Sequence, residues 1–119
     1  VDGEGKVIGC GALHVMWEDL AEIRTLAVDP AWLGQGVGHA ILDELLETAV
    51  RVGVSRVFCL TFAVNFFARH GFREIEGTPV PAEVYTELLR SGDEGVAEFL
   101  DLARVKPNTL GNTRMLREL

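Results

Sequence analysis

The hydrophobic positions of the chain fall into short apolar runs separated by stretches with helical periodicity. Runs of β-branched and apolar residues predict strands, and apolar residues that recur every three or four positions predict helices. The predicted strands are residues 6–17, 20–28, 54–62, 72–76 and 113–116. The predicted helices are residues 38–52, 65–70, 81–90 and 96–102. This order predicts an α/β (α+β) protein with a mixed central sheet and flanking helices.

Short connections and glycines refine this order. Residues 20–28 follow residues 6–17 after so short a turn that the two strands are expected to be antiparallel. Residues 54–62 form a nearly continuous apolar run, as in a central strand that is covered on both faces and parallel to the strand before the helix. Gly53 and Gly71 end the helices that precede them. The pattern therefore predicts a β-α-β unit.

A glycine-rich turn joins the predicted strand 20–28 to the predicted helix 38–52. Gly34, Gly36 and Gly38 let a ligand approach the backbone, and the N–H groups of the first helical turn favour negative charge. The turn therefore predicts a phosphate site. Its spacing is neither the dinucleotide fingerprint nor a Walker loop. The alternative is a helix-entry turn that binds nothing.

Composition bounds the partners. The 119 residues fit one domain, with residues 77–104 as a helical insertion before the last strand. The net charge of −7 argues against nucleic acid or an anionic membrane as a partner. No apolar run is long enough for a membrane span. Cys10 and Cys59 lie in apolar runs without metal-ligand spacing, which predicts buried, reduced thiols, no metal site and a cytoplasmic location. Because residues 1–5 look like a turn between strands and no Met begins the chain, we expect N-terminal elements to be missing.

The turn resembles the acetyl-CoA pyrophosphate loop of the GCN5-related N-acetyltransferases (GNAT), whose pattern is Arg/Gln-x-x-Gly-x-Gly/Ala. Leu33 departs from the pattern, because family members usually carry Arg or Gln there. A second signature, residues 66–72 (FFARHGF), is similar to the family's short helix ending in Gly-Phe, which places the thiol end of CoA. The resemblance implies the GNAT acyl-CoA N-acyltransferase fold and acetyl-CoA as co-substrate. The implied CoA contacts are Leu26, Ala27, Val28, Leu33, Gly34, Gln35, Gly36, Val37, Gly38, His39 and Phe67.

Phe67 narrows the group of family members that the chain resembles, because most members carry a Tyr there that is thought to protonate the departing thiolate. With AEIRTLAVDP upstream and KPNTLGNTRML near the end, the chain resembles the short single-domain amino-acid N-acetyltransferases that make N-acetylglutamate for arginine biosynthesis. This resemblance implies direct acetyl transfer to the α-amino group of L-glutamate, and a homodimer through the last strand is an expectation for such proteins. An ordinary core aromatic is the alternative interpretation of Phe67.

The implied chemistry gives roles to the strand before the loop. An ammonium group must lose a proton before it attacks a thioester, so a base is needed, directly or through water. Glu22 is the candidate, because it stands 14 residues before Gly36, as does the catalytic glutamate of histone-type members. A solvated glutamate at a strand's beginning is the alternative. By the same analogy the Leu26 N–H faces the thioester oxygen, while Ala27 and Val28 pair with the pantetheine amides.

The acceptor side needs cations and amides, because glutamate carries two carboxylates. The candidates are Arg24, Lys106, Asn112 and Arg114, each with a solvated surface residue as the alternative. His14, His70 and Cys59 are weaker catalytic candidates, since each has a simpler structural interpretation. Two other functions stay open: an acetyltransferase for another small amine or a protein N-terminus, and a non-catalytic CoA-binding regulatory module.

Overall fold

The structure, a computed structural model, describes residues 1–77, 82–90, 93–100 and 112–119. The chain divides into two compact units, residues 1–57 with Leu119 and residues 58–118. Within the described residues, no helix combines the length and the apolar character that a membrane crossing requires.

The first unit begins with two antiparallel strands, β1 (Gly9–Trp17) and β2 (Leu20–Val28), as predicted. β1 starts three residues later than the sequence suggested, since residues 2–6 form a turn instead. The Asp2 carboxylate accepts hydrogen bonds from the N–H groups of Glu4 and Lys6, both at 2.9 Å, and an aspartate that bonds the backbone ahead of it favours a turn over a strand.

Helix α1 (Val37–Val52) packs on this pair of strands. It can approach β1 closely because two residues of that strand have no side chain. A Cβ at Gly9 would lie 2.7 Å from Ile41 Cδ1, and one at Gly11 would lie 2.8 Å from Leu45 Cδ1. At its end Gly53 takes a φ of +98°, so the predicted C-cap is confirmed.

Strand β3 (Arg56–Thr61) starts in the first unit and continues into the second. The second unit then contains α2 (Val64–Ala68), β4 (Arg73–Glu74), α3 (Ala82–Leu89), α4 (Glu94–Phe99) and β5 (Thr113–Glu118). β5 lies between β3 and β4 in the sheet and is antiparallel to β4. The predicted element order is confirmed, although β4 is shorter than predicted. The end of the predicted helix 96–102 lies outside the described residues.

The two cysteines differ in burial. Cys59, on β3, is 1% exposed, as predicted, whereas Cys10 on β1 is exposed. The prediction that Cys10 is buried was wrong because successive strand residues point to opposite faces of a sheet. Gly9 and Gly11 face α1, so Cys10 lies on the face of β1 that α1 does not cover.

Candidate functional site

Hydrogen bonds of Asp29 fix the start of the loop between β2 and α1. The Asp29 N–H donates to the carbonyl of Ile8 at 2.7 Å, and the Asp29 carboxylate accepts a hydrogen bond from the N–H of Ala31 at 2.9 Å. These bonds cap a short 3₁₀ turn, Pro30–Trp32, in which proline presets the φ angle. Leu33 follows in an extended conformation, with 65% of its surface exposed. These hydrogen bonds therefore fix the backbone just before the glycine turn.

Two glycines of the turn take the left-handed conformation. Gly34 has a φ of +78° and Gly36 a φ of +80°, values that side-chain-bearing residues rarely adopt. A Cβ at either position would meet no atom within 4 Å. The backbone here is therefore open in the direction that a Cβ would take.

The start of α1 carries the features of an anion site. Gly36 is the N-cap, no side chain of the described residues makes a capping hydrogen bond there, and the first turn contains no acidic residue. The first N–H groups of a helix have no partner within it, and the helix dipole places positive potential at this end. The residues present thus fit a diphosphate. Gln35 is exposed, while Val37, Gly38 and His39 are half-buried.

An open groove of about 440 Å³ runs along the first half of α1. Its lining is mostly apolar and includes one carboxylate, Glu44. Such a surface does not suit a diphosphate, so the loop remains the candidate anion site of the first unit. The lining residues are Val1, Ile8, Gly9, Gly11, Val37, Ala40, Ile41, Glu44 and Leu45.

Glu22 is buried, with 3% of its surface exposed, which excludes the solvated-glutamate interpretation. The Arg24 Nε donates to Glu22 Oε1 at 2.7 Å, so the two candidate site residues of β2 form an ion pair. The Arg24 side chain is 33% exposed. A buried carboxylate is tolerated when a cation partners it, and Arg24 provides that partner.

The pairing of β1 with β2 is irregular next to this ion pair. Ala12 lies opposite Thr25 and Leu13 lies opposite Ile23, which leaves Arg24 without an opposite residue on β1. Such a bulge re-aims the side chain at that position. The next pair places His14 directly opposite Glu22. The bulge and this pair could not be predicted from one strand's sequence, because register depends on both strands.

The implied thioester and pantetheine contacts lie on the other side of the bulge. Leu26 is half-buried and opposite Gly11, Ala27 is exposed and opposite Cys10, and Val28 is half-buried and opposite Gly9. Their roles stay predictions.

In the second unit Arg114, on β5, has partners that the sequence did not suggest. Its guanidinium donates to the carbonyl oxygens of Gly77 at 2.9 Å, Glu98 at 3.0 Å and Phe99, and it lies 5.9 Å over the Phe58 ring. Arg114 is half-buried, so the solvated-surface interpretation was wrong. Its donors serve the chain's own backbone, which indicates a structural role. Asn112 is half-buried just before β5, and Lys106 lies outside the described residues.

Phe67 packs in an aromatic cluster of the second unit. Its ring makes edge-to-face contacts with Phe66 and Phe72, each at a centroid distance of 5.2 Å, and 5% of the residue is exposed. The core-aromatic interpretation is confirmed, while a contact with the CoA thiol stays a prediction. The backbone carbonyl of His70 accepts a hydrogen bond from Arg117 at 2.7 Å, and its ring lies 5.5 Å from that of Phe66.

No group of three or more His, Cys, Asp or Glu side chains among the described residues could hold a metal ion. Cys59 is buried in the middle of β3, a position without access for an acetyl donor.

Comparison with protein-family models decides the family. Residues 1–72 match the model described as the acetyltransferase (GNAT) family. The chain belongs to this family. An amino-acid acetyltransferase of Mycobacterium tuberculosis is 69% identical over 112 residues, which are 94% of this chain and 64% of that protein. An amino-acid acetyltransferase of Aeromonas salmonicida is 31% identical over 85 residues, 70% of this chain and 19% of that protein. The chain thus spans less than two thirds of the length of these curated relatives.

Solved structures agree with the GNAT assignment. A Mycobacterium tuberculosis protein crystallised in complex with CoA is 67% identical and superposes with a TM-score of 0.94, covering 99% of this chain and 71% of that one. The N-acetylglutamate synthase of Neisseria gonorrhoeae is 23% identical and superposes with a TM-score of 0.71 over 99% of this chain and 24% of that one, which shows a shared fold. The predicted fold class, a GNAT acyl-CoA N-acyltransferase fold with a mixed central sheet and flanking helices, is confirmed.

Proposed function

We propose that this protein is an acetyl-CoA-dependent N-acetyltransferase that acts on the α-amino group of L-glutamate, the first step of arginine biosynthesis. The observation that carries the proposal is the start of α1, where a turn with two left-handed glycines meets a helix end without a capping side chain or an acidic residue. The GNAT family model and the name of the Mycobacterium tuberculosis relative support acetyl transfer to an amino acid.

The loop would hold the diphosphate of CoA through backbone amides. Residues 33–39 supply the N–H groups, and the open space at Gly34 and Gly36 leaves room for the phosphate oxygens. Acetyl-CoA would supply the activated acetyl group as a thioester. An acidic chain of net charge −7 can bind such an anion because amides and the helix dipole carry no formal charge.

Glu22 would be the base that takes a proton from the acceptor amine. Burial brings its carboxylate out of bulk water, and Arg24 at 2.7 Å favours the ionised form that can accept a proton. The amine would then attack the thioester directly, because Cys59, the cysteine considered as an acetyl-carrying nucleophile, is buried in a strand. The Leu26 N–H is proposed to stabilise the developing oxyanion.

In the first unit, Arg24 of β2 is the cation proposed for the acceptor's carboxylates. Arg24 is one third exposed, so its guanidinium can pair with Glu22 and still present donors to a ligand. In the second unit, Lys106 and the amide of Asn112 stay separate candidates, and Arg114 contributes mainly by holding Gly77 and the end of α4. We also propose a cytoplasmic location and a homodimer that forms through the last strand. Analytical ultracentrifugation tests the dimer.

A coupled assay tests the proposal. The full-length protein is mixed with acetyl-CoA and, one at a time, with the twenty standard amino acids and a small peptide, and free thiol is measured. Thiol release that depends on L-glutamate supports the proposal, and release with other amines only would assign a different acceptor. Binding of CoA without thiol release for any amine would instead favour the second candidate, a regulatory module. Two residues favour that candidate: Phe67 in place of the usual Tyr, and Leu33 in place of Arg or Gln.

A further inference from the structure

His14 and Glu22 are directly opposite one another in the β1–β2 pair. Opposite residues of antiparallel strands lie on the same face of the sheet, with Cβ atoms about 4.5–5.5 Å apart, so their side chains are within reach of each other. The two differ in exposure, because Glu22 is 3% exposed whereas His14 is exposed to solvent. An exposed imidazole therefore stands beside a buried carboxylate.

The reaction proposed for this protein needs a path for protons between the site and solvent. An amine that enters as ammonium loses two protons when it becomes an amide, and the departing thiolate takes up only one of them. One proton per turnover must therefore leave. Glu22 can accept it, but a carboxylate that is 3% exposed has little direct contact with solvent to which it could pass the proton.

We propose that His14 carries this proton from Glu22 to solvent, an inference that rests on the proposed function. Glu22 takes the proton from the amine, the neutral imidazole of His14 accepts it from the Glu22 carboxyl group, and the imidazolium releases it to water or buffer. Each turnover leaves Glu22 ionised and His14 neutral again. Imidazole suits this task, because histidine is the side chain that most often gives and takes protons in catalysis.

The surroundings of His14 are consistent with such a relay. On β2 it lies opposite Glu22, whose Oε1 is bonded to Arg24. Helix α1 packs on the other face of β1, at Gly9 and Gly11, so the carboxylates of that helix do not face His14. The ion pair with Arg24 favours the return of Glu22 to the ionised form after each proton is passed on.

Chemical rescue tests the relay in the full-length protein. We expect His14→Ala to lower kcat about a hundredfold, the lower end of what a positioned proton-transfer group contributes, while the Kd for acetyl-CoA is unchanged. Added imidazole should restore kcat in proportion to its concentration, because a free base can take the proton from Glu22. It should restore nothing in Glu22→Gln, which lacks the group that feeds the relay. The exposed Glu47→Gln of α1 is the surface control.

Each outcome decides the proposal. A wild-type kcat in His14→Ala, or a loss that imidazole does not restore in both His14→Ala and His14→Gln, would overturn the relay and leave His14 with a structural role at most. A wild-type protein that releases no thiol with any amine would overturn the proposed function itself, which separates the two failures.

Discussion

Arg24 Nε and Glu22 Oε1 lie 2.7 Å apart on the same strand, and Glu22 is the one charged side chain among the described residues that is buried. The bulge at Arg24 and the two-residue spacing bring the pair together. A carboxylate in this position would be costly without its cation, because desolvation of a charge costs several kcal/mol. The pair thus links the local geometry of β2 to the charge of the proposed base.

The ion pair should contribute measurably to stability. We expect a double-mutant cycle with Glu22→Gln and Arg24→Gln to give a coupling free energy of about 1–3 kcal/mol, measured by urea unfolding, since Glu22 is buried while Arg24 is partly exposed. The Glu44–Arg51 pair of α1 is the control. Its atoms are 3.3 Å apart, but both side chains are more than 60% exposed, so its coupling should not exceed about 0.5 kcal/mol. Equal coupling in the two pairs would contradict a special role for Glu22.

Gly11 should tolerate no side chain. A Cβ there would lie 2.7 Å from Ile41 Cγ2 and 2.8 Å from Leu45 Cδ1, so Gly11→Val should lower the free energy of unfolding by about 1–3 kcal/mol. Ala12→Val, on the uncovered face of the same strand, is the matched control and should change stability by less than about 0.5 kcal/mol. If the two variants unfold at the same denaturant concentration, α1 does not pack on β1 as described.

Substitution of Arg114 distinguishes a structural role of this residue from a role in substrate binding. Arg114→Met leaves the carbonyls of Gly77, Glu98 and Phe99 without their donor, so we expect a loss of about 1–3 kcal/mol in the free energy of unfolding and a smaller loss in Arg114→Lys. The exposed Arg90→Met should be neutral. A variant of unchanged stability with a raised KM for L-glutamate would instead make Arg114 a substrate ligand.

The sequence predicted what is local and missed what depends on partners distant in the chain. Periodicity located α1 to within one residue at its start, and the glycine spacing predicted a phosphate site at that end of the helix, which stays a prediction. The burial of Glu22 and the bulge at Arg24 depend on how β1 and β2 align, which one strand does not encode. The exposure of Cys10 depends on which face of β1 is covered by α1. The carbonyl partners of Arg114 come from residues 15 to 37 positions away, a separation that no periodic pattern reports.

The central claim is that the loop before α1 binds CoA. The affinity for CoA of variants at the two glycines that flank α1 tests it most directly. Gly36 and Gly53 flank the same helix, both have a positive φ and both have open space at the Cβ, so a glutamate costs about the same backbone strain, roughly 1–2 kcal/mol, at either end. Only Gly36→Glu places bulk and negative charge at the proposed diphosphate site. Calorimetric titration with CoA should show Gly53→Glu binding like the wild type, and Gly36→Glu weakened at least about tenfold, as the loss of one charge-assisted hydrogen bond would already give. Unchanged affinity in Gly36→Glu would contradict the assignment of the loop to CoA.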